Sequence, residues 1–253
     1  MSITSFPSIA GSTESTTVAP WFTQVSRGLV SGASTVNVYG YQSAIGTTFI
    51  PVWENATAYT YPVSATTMLL WSSSASDTSV SVLISGLDAS YNQISETLVL
   101  TNGVTGVTTV NSYLRINSIQ TTGTNNAVGK ISLGNAGKTL EYAIMTVGNG
   151  KSQMTIYTVP NGYTFYLTRA NAYSNQVGNL SSSYCTYRVY TVTQTGLQQI
   201  VLQAPFANSY SSIRIAPRPY LQKTDIQWQA NTPSSTAAVG IGVEGILISN
   251  TAS

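Results

Sequence analysis

Residues Ser72 to Leu100 read SSSASDTSVSVLISGLDASYNQISETLVL, a serine cluster followed by alternating aliphatics and a turn. In TSVSVLIS, residues 78–85, Val80, Val82 and Ile84 share one face while small polar residues occupy the other, the pattern of a half-buried antiparallel strand. The turn around Gly86 to Ser90 then sends the chain back through ISETLVL. The stretch predicts one hairpin in the wall of a β-structure, not the rim of an active site.

The same rhythm continues outward in both directions. Asn102-Gly103, Asn149-Gly150 and Asn161-Gly162 are dipeptides that tolerate the positive φ of tight hairpin turns, and each separates strand-like runs. Further strands are expected in SYLRINSI, GKISLG, YCTYRVYTV, QQIVLQ, DIQWQ and AAVGIGVEGILIS. No window offers an amphipathic helix, so the expected class is all-β, built of antiparallel β-sandwich or jelly-roll-like domains. Met1 to Val30 is rich in Ser and Thr and lacks either period, which predicts an extended N-terminal arm over 1–30. Trp21, Phe22 and Val25 are its expected docking residues. A division near Gly148 to Gly150 would give one β-domain over 31–148 and a second over 149–253.

Only 7 % of the 253 residues are charged, and the formal net charge is +2. Ser, Thr, Asn, Gln and Tyr take the place of the missing charge, which suits a surface to packing against other protein. The chain contains no histidine, which removes the commonest general base, the commonest zinc ligand and every Ser-His-Asp arrangement. A single cysteine, Cys185, allows no intrachain disulfide and no cysteine metal cage. The N-terminus lacks a basic start followed by an apolar run, and nowhere do about 18 consecutive apolar residues occur. A soluble, non-exported protein with no membrane partner and no cofactor is expected.

Motifs with a chemical meaning have plainer readings. GIGVEG, Gly240 to Gly245, satisfies a dinucleotide-binding pattern, but no helix can follow it in ILISNTAS. Its glycines are expected to leave one strand face bare for the approach of another backbone or subunit. GNGKS, Gly148 to Ser152, lacks the first glycine of a phosphate loop and reads as a turn. Asp77 and Asp88 sit in turn contexts, where a short carboxylate accepts local backbone N–H bonds. Arg214, Arg218 and Lys223 with Tyr220 form a small basic aromatic stretch, expected as a proline-punctuated loop making protein contacts, because ten Lys and Arg do not build a nucleic-acid face. Sixteen tyrosines, among them Tyr157, Tyr163, Tyr173 and Tyr187 in the C-terminal half, raise a second candidate ligand, since exposed rings can stack on sugars.

Taken together, SATTMLLWSSSASDTSVSVLISGLDASYNQISETLVL, TTVNSYLRINSI and MTIYTVPNGYTFYLTR resemble structural proteins from the particles of tailed bacteriophages. That group has a Ser-rich strand running into a GLD-x-x-Y turn, an S-Y-L-R-I-N-like strand and a P-x-G-Y-T-x-Y-L hairpin. Here these fall on Gly86 to Asp88 with Tyr91, on Ser112 to Asn117, and on Pro160 to Leu167. The resemblance spans residues 25 to 175, with nothing matched beyond. It implies a virion component without enzymatic activity, made in the host cytoplasm. Such a protein would assemble as a homotrimer on the major capsid protein or another virion protein, as head decoration or cement, or alternatively at the neck, tail or fibre with host glycans as ligands. Trp21, Phe22, Trp53 and Trp71 are the expected anchors, with Arg214, Arg218 and Tyr220 as further contacts.

Overall fold

The computed structural model describes residues 20–55, 57–175, 184–233 and 236–251. Strands account for nearly all regular structure among them. In chain order these are β1 (Ala33–Ile45), β2 (Ile50–Pro51), β3 (Leu69–Ser72), β4 (Ser81–Leu87), β5 (Gln93–Val99), β6 (Val107–Thr108), β7 (Arg115–Thr122) and β8 (Ile131–Gly134). There follow β9 (Glu141–Met145), β10 (Ile156–Thr158), β11 (Tyr163–Ser174), β12 (Cys185–Val192), β13 (Gln198–Phe206), β14 (Ser209–Tyr220), β15 (Asp225–Asn231) and β16 (Ala237–Ser249).

The hairpin expected in the opening stretch is β4 and β5, in register from Ser81 opposite Val99 to Leu87 opposite Gln93. Asp88 holds its turn by accepting the backbone N–H of Ser90 and of Asn92, both at 2.8 Å. Asp77 behaves differently from a local turn residue. It is buried, and its carboxylate accepts the Ser72 hydroxyl at 2.5 Å and the backbone N–H of Val128 and Gly129, about fifty residues away in sequence.

Four antiparallel sheets result, with strand orders β1-β16-β11-β14, β10-β15-β12-β13 with β2 added on β15, β6-β3-β8-β9, and β5-β4-β7. Their arrangement is a four-bladed, propeller-like ring and not a clear jelly-roll sandwich. Alternation along a strand dictates which residues share a face; it leaves open which strands pair, and so could not separate these architectures.

The sheets enclose two hydrophobic cores. One gathers Phe165, Tyr187, Trp228 and Ile241 with Ile45 and Val52 from early in the chain. The other gathers Trp53, Met68, Leu70, Ile84, Tyr113 and Ile144. The expected division near residue 148 therefore needs correcting, because β1 pairs along its length with β16, from Ala33 opposite Ile248 to Ile45 opposite Ala237. Residues 33–52 belong with the C-terminal part, and the second core is an insertion between Val52 and Tyr157.

The two parts are clasped by Arg115 of β7 and Asp225 of β15. The guanidinium makes a bidentate pair, Nε to Oδ1 at 2.8 Å and Nη2 to Oδ2 at 2.9 Å. Thr158 donates to the same carboxylate at 2.6 Å, and the Arg115 guanidinium lies over the Tyr61 ring at 4.5 Å. The partners of this nearly buried pair are satisfied on all sides, as such a pair requires.

The N-terminal expectation also changes. Trp21–Ser26 form a short helix, α1, in place of an extended arm, while residues 1–19 lie outside the described residues. Pro20 stands at the N-cap with φ −49°, pre-set for helix entry, and Gln24 and Val25 bury beneath. Six residues span fewer than two turns, too few for a 3.6-residue period to be visible in sequence.

Candidate interaction surface

Of the eight expected contact residues, Phe22 is the well-exposed one, at 54 %, and its ring meets Trp21 edge-on at 5.4 Å. Trp21 and Trp71 are half-buried, the latter with the Lys138 ammonium 5.8 Å from its ring. Trp53 is no surface anchor. At 2 % exposure it lies in the insertion core, donates its indole N–H to the Thr57 carbonyl at 3.0 Å and packs edge-on against Tyr59. Val25 is buried under α1, and Tyr220 is buried with its ring stacked 6.0 Å from Phe165. A core accepts large aromatics as readily as an interface does, so residue type alone could not distinguish the two.

Arg214 and Arg218 lie in strand β14, not in a loop. Between Leu167 opposite Arg218 and Arg169 opposite Ile213 the register slips, so that the segment 214–217 bulges out of the sheet edge. Ile213, at 75 % exposure, and the still more exposed Ile215 project there. Arg218 reaches from this edge to the Val201 carbonyl of β13 at 3.0 Å. β14 and β13 are the edges of their respective sheets, and Leu197 and Ile200 of the β13 side are exposed as well.

A second surface lies on the outer face of the β1-β16-β11 sheet. Period-2 alternation and the register put Asn37, Tyr39 and Tyr41 of β1, Gly240, Gly242 and Glu244 of β16, and Asn171 and Tyr173 of β11 side by side. Gly240 and Gly242 of GIGVEG thus admit tyrosine rings of the same chain, whereas Gly245 admits the Phe165 ring and the Tyr166 backbone carbonyl, the close backbone approach expected of it. A Cβ on Gly240 would stand 2.5 Å from Tyr173 Cε2, and one on Gly242 would stand 3.9 Å from Tyr39 Cδ2. The Tyr39 and Tyr173 rings lie 6.5 Å apart at 31°. Partial burial, and then the hydrogen bond with Tyr173, push the Tyr39 hydroxyl up to about 12.

Beside these rings the Asn149–Gln153 segment raises a wall, enclosing a groove of about 430 Å³. A neighbouring groove of about 520 Å³ runs along the edge of β1 toward Ser85, Gln93 and Asn117 of the β5-β4-β7 sheet. Asn37, Val38, Tyr39, Lys151 and Ser152 line both, so the two form one furrow. Of its lining residues the sequence had singled out Tyr157, Tyr173, Glu244, the glycine motif, Asn149, Lys151 and Ser152 of GNGKS, and the turn or strand residues Gly86, Asn117 and Pro160, but none of them as parts of one site. The signal was Asn37-x-Tyr39-x-Tyr41, which becomes visible only when paired with the bare glycines opposite.

The described carboxylates all have structural partners. Glu54 accepts from Asn149 at 2.6 Å, Glu96 from the backbone of Val110 at 2.9 Å, Glu141 from Ser132 at 2.7 Å, and Glu244 pairs with Arg169 at 3.8 Å. Among the described residues no three acids or cysteines gather in a group able to hold a metal ion. No described helix is long and apolar enough to cross a membrane.

No family model and no curated protein matches the chain. Among solved structures, one described as "Structure of infectious bursal disease virus Gt strain" aligns at 9 % identity and a TM-score of 0.22, covering 92 % of this chain and 80 % of that one. A likeness at that TM-score carries no argument about fold or role.

Proposed function

We propose that this chain is a non-enzymatic structural component of a virus particle, and specifically a decoration or cement protein that binds an assembled bacteriophage head as a homotrimer. The resemblance of residues 25–175 to tailed-phage structural proteins supports the particle. The observation that supports assembly is the exposed aliphatic surface of two sheet edges. Ile213 and Ile215 project from the β14 bulge, and Leu197 and Ile200 are exposed on the β13 side, on a chain with only 7 % charged residues. Aliphatic side chains on unpaired sheet edges favour burial against another protein, and a sparsely charged surface makes that association insensitive to salt. Phe22 and the half-buried Trp21 of α1 extend the same logic to a second contact, with the major capsid protein or another virion protein as partner.

Quantitative mass spectrometry of purified particles tests the reading. Hundreds of copies spread over the head support decoration. A few copies at one vertex would replace it with a neck, tail or fibre role, and absence from particles would overturn both.

A further inference from the structure

The Tyr39–Tyr173 furrow has a chemistry that the assembly reading does not use. Its floor is two partly exposed rings, 40 % and 45 % accessible, resting over a strand kept bare by Gly240 and Gly242. Its sides are amides and hydroxyls, among them Asn37, Asn149, Gln153 and Asn171. An amide presents both donors and acceptors, which matches sugar hydroxyls, while a ring face matches the C–H face of a pyranose. Two of these groups are held in place. Asn171 accepts from Arg169 Nε at 3.1 Å, and Asn149 donates to Glu54 at 2.6 Å. The charged residues lining the furrow are Lys151 and Glu244; Glu244 faces Arg169 at 3.8 Å, and the Glu54 carboxylate stands behind the wall, accepting from Asn149 and from the Gln153 backbone. Lys151 lines both grooves and has no ion-pair partner among the described residues.

We propose that this furrow binds an oligosaccharide, with pyranose rings against Tyr39 and Tyr173 and an acidic substituent at Lys151. The site requires only the folded chain and is independent of where in a particle the protein sits. Gly240 is part of it, because a methyl group there would collide with the Tyr173 ring and tilt the floor.

The test is an array of immobilised oligosaccharides containing sialyl, galacturonyl and neutral hexose chains, probed with the full chain and its variants. The wild type is expected to bind acidic chains in preference to neutral ones. Tyr39→Ala and Tyr173→Ala each lower affinity about tenfold, the loss of one aromatic stacking partner. Gly240→Ala weakens binding with both tyrosines still present, and Lys151→Gln abolishes the acidic preference while neutral binding persists. Thermal melts of the four variants establish that each is folded, as the exposed positions of Tyr39, Tyr173 and Lys151 predict. A silent array, or binding that survives both tyrosine substitutions in folded protein, overturns the site. Equal binding of acidic and neutral chains overturns the role of Lys151.

Discussion

The two cores differ in how the chain reaches them. The insertion core, from Trp53 to Ile156, is closed by neighbours in sequence such as β4 with β5 and β8 with β9. The other joins the two sides of the insertion, since β1 pairs with β16 and β2 with β15. A contiguous unit can form from local contacts, whereas the discontinuous one must also close a loop of about 100 residues, at an entropic cost that a folded insertion reduces by bringing the loop's ends together. The two halves are both built of antiparallel sheets, but their dependence on each other is unequal.

The largest expected effect exploits that asymmetry. Trp53→Ala and Trp228→Ala each empty a fully buried site and cost about 3–5 kcal/mol. Trp228→Ala should leave β4 protected in hydrogen exchange while β16 opens, whereas Trp53→Ala should expose both. Equal loss of protection in the two variants would show that the halves fold as one unit. Next comes the clasp. Arg115→Ala leaves Asp225 buried without its cation and should cost about 3 kcal/mol. Calorimetry should then resolve two transitions where the wild type shows one.

Smaller effects belong to the surface. Ile213→Asp together with Ile215→Asp should shift stability by no more than about 0.5 kcal/mol, because both side chains already face solvent. Light scattering should nonetheless report loss of the proposed trimer, and unchanged assembly would remove the β14 edge from the interface. The smallest effect concerns Asp88. Although partial desolvation works against it, the bonds from Asn92 and Ser90 hold its carboxyl below the ordinary value. The stabilisation is therefore present above the unfolded-state pKa and is lost as pH falls through the lower folded value. Asp88→Ala should lower the melting temperature slightly at neutral pH and leave it unchanged in acid, which flattens the acid limb of the profile.

Much of the strand inventory was legible. AAVGIGVEGILIS coincides with β16, and YCTYRVYTV, QQIVLQ and DIQWQ fall on β12, β13 and β15. Turn chemistry was legible in part. Gly150 and Gly162 adopt positive φ, as their Asn-Gly pairs predict, but neither closes a hairpin, because β9 and β10, and β10 and β11, lie in different sheets. Gly103 is there for a different reason, since a Cβ on it would lie 2.1 Å from the Ser74 carbonyl oxygen. β14 was missed because Pro217 and Pro219 read as loop, yet prolines are tolerated on an edge strand whose outer N–H groups need no partner.

The sequence by itself determined the class of structure, the hairpin at 81–99, the sparse charge and the absence of histidine chemistry. Those follow from composition and from side chains alternating along a strand, both local properties. Only the tertiary structure decided that β1 joins β16, that Trp53 is core while Ile213 is surface, and that Tyr39 and Tyr173 meet over bare glycines. Alternation assigns residues to a common face, but what covers that face depends on strands more than a hundred residues apart.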